Sequence, residues 1–596
     1  MKIPASVFTL VITVFAEAQT PSLIVHNDNI VTLDQARPRA EAMAVAEGTI
    51  LQIGSSAEIL RLKKKGTLVI DAKGKTIIPG IFDSHLHVIR GGRFYNTELR
   101  WDGVRSLARA LQMLKEQAAR TPEGQWVRVV GGWNAYQFEE QRLPTLTEIN
   151  EATGNVPTFV LYLYGHAYLN QAGLKALQID ENTPNPPGGL IEKDPDGKPT
   201  GLLVAEPNAF LLYATLARLP ELTEQERINS TKLFMLELNR LGITAVMDAG
   251  GGFQNYPGDY GITQLLDQKN ELTLRLPYYL FAQKAGSEPV DYSKWISEVA
   301  IGQHDGHEQP AKAFGLKKLE YYVQGGGENL VASAADFENF DQPRPDLSPR
   351  MEAQLKEVIS LLVKNRWPFR LHATYNESIS RFLNVIEDVN RETPLNGLLW
   401  FFDHAETVSE ENLKRIKALN GGIAIQHRMA FQGESFIKRY GKKAAEFTPP
   451  VKKMLELGIR VGMGSDGTRV SSYNPWIGLY WLTTGKTIGG TPLAARENIL
   501  DRETALRLFT QGSAELVNLQ HNRGQLKPGF LADFAVLSAD YLSVPEDEIL
   551  KLESVLTVVN GKVVFGQQEF EALAAPVPAA VPAWSPVNYY GGYQKQ

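Results

Sequence analysis

The chain has 596 residues, 43% of them hydrophobic and 21% charged, with a formal net charge of −6. That composition fits a folded globular protein long enough for several domains, and it excludes a disordered chain. The absence of cysteine excludes disulfides, thiolate metal sites and cysteine nucleophiles. The mild acidity, with no dense basic cluster, excludes a nucleic-acid partner.

The N-terminus reads "MKIPASVFTLVITVFAEAQ". One lysine precedes an apolar run, and Ala16-Glu17-Ala18 has the small-x-small form of a cleavage site. This predicts a secretory signal over 1–18 and a mature chain starting at Gln19, exported to the periplasm or secreted. If the segment is not a signal, the protein is cytoplasmic. No run reaches the roughly 18–20 apolar residues that crossing a bilayer requires, so membrane insertion is not expected.

Residues 22–80 form short β segments punctuated by Gly48 and Gly74, and the same texture returns over 525–570. The two ends predict one small β-sandwich domain built from both termini. Between them, 81–520 alternates apolar strand-like runs with amphipathic helical stretches. The runs are "PGIFDSHLH", "GITAVMDAGG", "LTLRLPYYLFA", "FGLKKLEYYVQGG", "FRLHATY", "LLWFFDHA", "GIAIQHR" and "IRVGMGSDG". Eight strands with helical crossovers make the expected fold class α/β, a (β/α)8 TIM barrel. An insert of about 90–240 follows the first strand and carries two further strand-like runs, "WVRVVGGWN" and "PTFVLYLYGHAYLN". It also carries a Gly/Pro-rich hairpin, and it belongs over the catalytic face. Residues 571–596 are Pro/Ala-rich and predict an extended tail along the surface.

In such a barrel, working residues lie at the C-terminal strand ends. His85 and His87 close the first strand. Residues two apart on a strand share a face, so both imidazoles can aim at one point. His372, His404 and Asp466 close the fifth, sixth and eighth runs. Five metal-capable side chains at strand ends predict a divalent metal held by His and carboxylate, zinc foremost, as one or two ions. His427 ends the seventh strand and should contact substrate. Arg469 follows the eighth and either grips a substrate carboxylate or holds its loop through a salt bridge. His166, in the insert, either reaches the substrate or is structural. Trp133, Tyr136 and Trp476 either wall the pocket or simply pack.

The stretch "GKTIIPGIFDSHLH", the later histidines and "GSDG" resemble the amidohydrolase superfamily. "GGWN", "GHAYLN" and "GGLIEKDPDGKPTG" are similar to its branch containing N-substituted formamide deformylase. The resemblance spans about residues 22–570, and "GTILQIG" and "GQLKPGFLADFAVLS" extend it to the split β domain. It implies that His85 and His87 hold the more buried metal. His372 and His404 would hold a second, or one of them would contact substrate. Asp466 would ligate metal and move protons. Many members bridge two metals with a carboxylated lysine on the fourth strand. Here "LEYYVQGG" puts Glu320 in that place, so Glu320 is the expected bridging carboxylate, with Glu328 of "GGGENL" as its rival; the alternative is that Glu320 makes an internal ion pair with Lys318 or another cation.

The expected reaction is attack of metal-bound hydroxide on an amide-type carbonyl of a small molecule, with Asp466 as general base and then acid. Hydrolysis of an ester, lactone or cyclic amide on the same scaffold is the alternative. A non-catalytic metal-binding relative is a third reading. Homo-oligomerisation is left open by the sequence.

Overall fold

The structure is a computed structural model of the chain, and it describes residues 19–206, 209–301, 318–337 and 339–594. The expected signal over 1–18 lies outside the described residues. No helix among the described residues is long and apolar enough to cross a membrane.

All eight expected runs are strands of one parallel sheet, in sequence order: Ile81–Leu86, Ile243–Asp248, Leu276–Leu280, Tyr321–Gly326, Phe369–Ala373, Trp400–His404, Gly422–Gln426 and Arg460–Gly464. Nearly every residue in them is buried, because helices cover the outside and side chains fill the inside. The first and eighth strands meet just beyond their C-terminal ends. There Asp466 N donates to His85 O at 2.7 Å and His87 N donates to Gly467 O at 3.2 Å. The close approach needs Gly464, where a Cβ would stand 2.5 Å from His85 N. Phe82, Ala245, Met247, Tyr279, Phe401 and Ala424, from five of the eight barrel strands, belong to one apolar cluster.

Both chain ends share a second sheet. Thr76–Pro79 from the N-terminal part pairs antiparallel with Phe534–Leu537, which pairs onward with Ser554–Val559. Its buried Val25, Met43, Val45, Ile77, Phe534 and Val558 make a core separate from that of the barrel.

The insert builds a third sheet of five strands. The run "PTFVLYLYGHAYLN", read as one strand, is two: Thr158–Tyr162 and His166–Leu169 pair antiparallel across a tight turn. Leu163 in that turn takes a positive φ of 47°. The Gly/Pro-rich piece is the expected hairpin, Gly189–Lys193 with Pro199–Ala205. The insert returns to the barrel through the helix Glu224–Arg240. A capping box of Thr223 and Glu226 starts that helix, and its buried Leu233, Phe234, Met235 and Leu238 join the main core.

The C-terminal segment carries a short helix at Val587–Tyr590. It is tied down where Ser585 Oγ donates to Asn96 O at 2.6 Å and Gln594 N donates to Asp102 O at 2.9 Å. Arg120 lies 4.0 Å from the Tyr589 ring centroid.

Candidate metal centre

The strand ends bring His85, His87, His372, His404 and Asp466 together, with Glu328 among them. His87 Nε2 lies 3.1 Å from Asp466 Oδ1, and His85 Nε2 lies 3.5 Å from the same oxygen. Glu328 Oε2 stands 3.4 Å from His85 Nε2, 3.2 Å from His372 Nδ1 and 3.5 Å from His404 Nε2. Its Oε1 is 3.9 Å from His87 Nε2. All six side chains are buried. Asp466 and His404 sit at positive φ, 55° and 75°, where the chain turns sharply off the strand.

Neighbours orient these side chains. Asp403 Oδ1 takes His85 Nδ1 at 2.9 Å, which aims Nε2 at the centre. Arg370 holds Asp403 in turn, and its Nη1 donates to Ser84 O at 3.0 Å. The Gly250 carbonyl takes His87 Nδ1 in the same manner. Asp336, which accepts from the backbone N of Thr374 and Tyr375, faces His372 Nε2 at 3.6 Å. Arg428 ion-pairs with Asp466 Oδ2.

The electrostatics follow from this crowding. Burial raises the Asp466 carboxyl, but Arg428 and His85 outweigh it and hold the group well below the usual range. Glu328 is likewise raised by burial and then held well below its ordinary value by His85 and His372. Burial opposes charge on His372, yet Glu328 lifts it to about 9. Burial depresses His85.

The donor set fits a divalent metal. His85, His87 and Asp466 offer ligand atoms all within 4.8 Å of one another, as do His85, Glu328 and His404. His85 Nε2 and both ring nitrogens of His404 are buried with no hydrogen-bond partner, which is costly unless something else binds them. Imidazole and carboxylate without thiolate suit zinc and its neighbours in the first transition row.

Glu320 is not part of this cluster, which corrects the expectation of a bridge there. Strand alternation puts it on an inward face but says nothing of height. It precedes the fourth strand, at the end of the barrel opposite the centre. There Arg275 takes one carboxylate oxygen and Arg523 Nη2 takes the other at 2.6 Å. Arg275 also binds Asp533 at 2.6 Å, so Glu320 clasps the barrel floor to the terminal sheet. Glu328 reaches the centre because three glycines precede it. At Gly327, with φ of 128°, a Cβ would stand 2.3 Å from Arg370 O.

The remaining expectations divide. His427 lies under the rim with Nε2 2.8 Å from Ser472 O, and burial pushes it down to about 4. Its Nδ1 is unpartnered. His166 stays within the insert, 3.1 Å from the Tyr168 hydroxyl and 4.9 Å from the Tyr162 ring. Arg469 makes no salt bridge among the described residues and lies 4.5 Å from the Tyr213 ring centroid. Trp133 and Trp476 are wholly buried and donate to backbone carbonyls, as structural aromatics do. Asp403, Arg370 and Arg428 adjoin ligand positions in sequence or in space, and sequence reasoning missed them. Adjacency to His404 and His427 was the available signal for two of them.

An eight-stranded barrel with buried imidazoles and carboxylates at its C-terminal rim defines a metallohydrolase-like scaffold. Residues 68–565 match the Amidohydrolase family, and the chain belongs to it; it is an enzyme of that family. It is 26% identical over 551 residues to the putative amidohydrolase YtcJ of Bacillus subtilis, covering 91% of this chain and 98% of that one. It is 26% identical over 557 residues to N-substituted formamide deformylase of Arthrobacter pascens, again covering 91% and 98%. An uncharacterized metal-dependent hydrolase from Pyrococcus horikoshii superposes with a TM-score of 0.61 at 20% identity, over 88% of this chain and 99% of that one, which shows a common fold.

Proposed function

We propose that the protein hydrolyses a non-peptide amide-type C–N bond of a small molecule at a divalent metal centre, zinc by preference. The observation that supports this best is the convergence of four histidines, Glu328 and Asp466 in one buried cluster at the barrel rim. His85, His87 and Asp466 would hold one ion. His372 and His404 would hold a second, with Glu328 between them. A bound ion supplies Lewis acidity and brings the pKa of water toward about 7. Asp466 accepts the proton of the attacking water and delivers it to the leaving amine. Arg428 and His87 keep that carboxylate ionised and aimed. A ring N–H of His372 or His404, whichever of the two does not ligate an ion, would meet the developing oxyanion.

The test is metal analysis paired with Asp466→Asn and a panel of formamides, N-acetyl amides, esters and lactones. The metal-loaded protein should turn over amides. Asp466→Asn should lose about 10²- to 10⁴-fold in kcat while at least one ion remains. Esters or lactones as the best substrates would move the reading to the alternative bond.

A further inference from the structure

Most buried arginines of this protein have a carboxylate. Arg100 meets Glu98, Arg275 meets Asp533 and Glu320, Arg370 meets Asp403, Arg428 meets Asp466, and Arg523 meets Glu320. Arg90, Arg128 and Arg469, 7%, 1% and 4% exposed, form no ion pair among the described residues, and of these Arg128 donates to Pro220 O at 2.8 Å instead. Arg90 Nε and Arg469 Nη1 are buried without any hydrogen-bond partner. A guanidinium stays charged at any relevant pH, so leaving two of them dry and unpaired is expensive unless an anion comes and goes.

Their placement suggests which anion. Each stands three residues beyond a residue of the metal centre: Arg90 follows His87 on the helix Val88–Phe94, and Arg469 follows Asp466. Arg90 Nη1 and His87 Nδ1 both lie 3.2 Å from the point where a Cβ on Gly251 would stand. The backbone of Arg469 is pinned by the insert, since a Cβ on Gly131 would sit 1.7 Å from Arg469 O. Tyr213, from the insert helix Phe210–Leu216, stacks on Arg469 at 4.5 Å. The Tyr213 ring stands 6.0 Å from that of Tyr164, and both guanidiniums and Asp466 act electrostatically on its hydroxyl. Tyr164 itself lies over Arg428 at 5.3 Å. Two cations and two phenols therefore form one wall beside the metal ligands.

We propose that Arg90 and Arg469 are an oxyanion subsite, so that the substrate is an amide carrying a carboxylate or phosphate close to the bond that is cut. The subsite rests on the reading of the centre as hydrolytic only for the identity of that bond. Anion binding itself is independent of turnover. Planar, two-pronged donors match either oxyanion. Tyr164 and Tyr213 supply hydroxyls and exclude water, which strengthens the charge-assisted bonds.

The experiment is calorimetric titration of the metal-loaded protein with N-acetylglycine, N-acetyl-2-aminoethyl phosphate and neutral N-acetylglycinamide. At least one anionic probe should bind about tenfold or more tighter than the neutral one, and the tighter of the two identifies the oxyanion. Arg469→Gln and Arg90→Gln should each erase most of that advantage, with metal content unchanged. Arg469→Lys, which keeps the charge and loses the fork, should retain part of it. Equal binding of all three probes by the wild type overturns the subsite whatever the variants do. So does an anionic advantage that survives both glutamine variants, which would place the anion on the metal alone. Turnover of neutral amides without anion preference rejects the subsite and leaves the hydrolytic reading standing. Arginine-dependent anion binding with no amide cleaved does the reverse.

Discussion

Two glutamates eight residues apart on one segment have opposite fates, and their neighbours explain it. Glu328 meets four imidazoles, whereas Glu320 meets two guanidiniums. Glu328→Gln should weaken metal binding by about 10- to 100-fold, read by metal analysis after dialysis. Glu320→Gln should keep the metal but cost about 3–5 kcal/mol of stability, because Arg523 loses its carboxylate and stays buried. The Glu320 carboxyl is raised by burial, yet Arg275 and Arg523 bring it down to about 2. A depressed folded pKa stabilises the protein above the unfolded value of about 4.3, and that contribution fades as pH falls toward about 2. Denaturant melts of wild type and Glu320→Gln should therefore converge between about pH 4 and pH 2. Curves that stay parallel across that interval would contradict the ion-pair account. Asp403→Asn should free the His85 ring and lower metal affinity by about 10- to 100-fold without touching the ion directly.

At the scale of elements, the centre depends on how the strand ends leave the barrel. The Gly325-Gly326-Gly327 run lets the fourth strand pass against Pro368 and Arg370 where no side chain fits. Gly327→Ala should cost about 2 kcal/mol or more, from a strained φ of 128° and contact with Arg370 O, and should also displace Glu328. A drop in Tm together with metal content is the expected readout. Lowered Tm with full metal content would mean that the turn relaxes without moving the carboxylate. The eight strands were legible because each is a short, largely apolar run, and parallel strands buried on both faces have that texture. The insert was legible only in part. Its hairpin at Leu163–Gly165 reads as one run, since the positive φ falls on Leu163 and the single Gly165 is a weak turn signal among apolar neighbours.

At the scale of the whole molecule, the two ends of the chain are one structural unit. Phe534–Leu537 fills the place beside Thr76–Pro79, and Arg275 reaches from the barrel to Asp533 just before it. A chain ending at residue 524 should leave that strand edge open and the core around Val25, Ile77 and Met43 exposed. Loss of cooperative unfolding and aggregation on expression are the expected results, while a soluble, metal-binding truncation would show that the barrel stands alone. The insert acts at the same scale. Tyr164 and Tyr213 come from two separate parts of it, and they meet Arg428 and Arg469 from the barrel.

The sequence by itself determined the kind of scaffold and the chemistry available to it. Alternating apolar runs specify a barrel, and histidines and an aspartate after those runs specify a candidate metal site at its rim, because both signals are local in the chain. The tertiary structure decided which carboxylate stands among the imidazoles, which arginines are neutralised and which are left bare, and what roofs the centre. Those outcomes depend on height along the barrel axis and on strands closing across hundreds of residues, and one-dimensional spacing carries the facing of a side chain but not its depth.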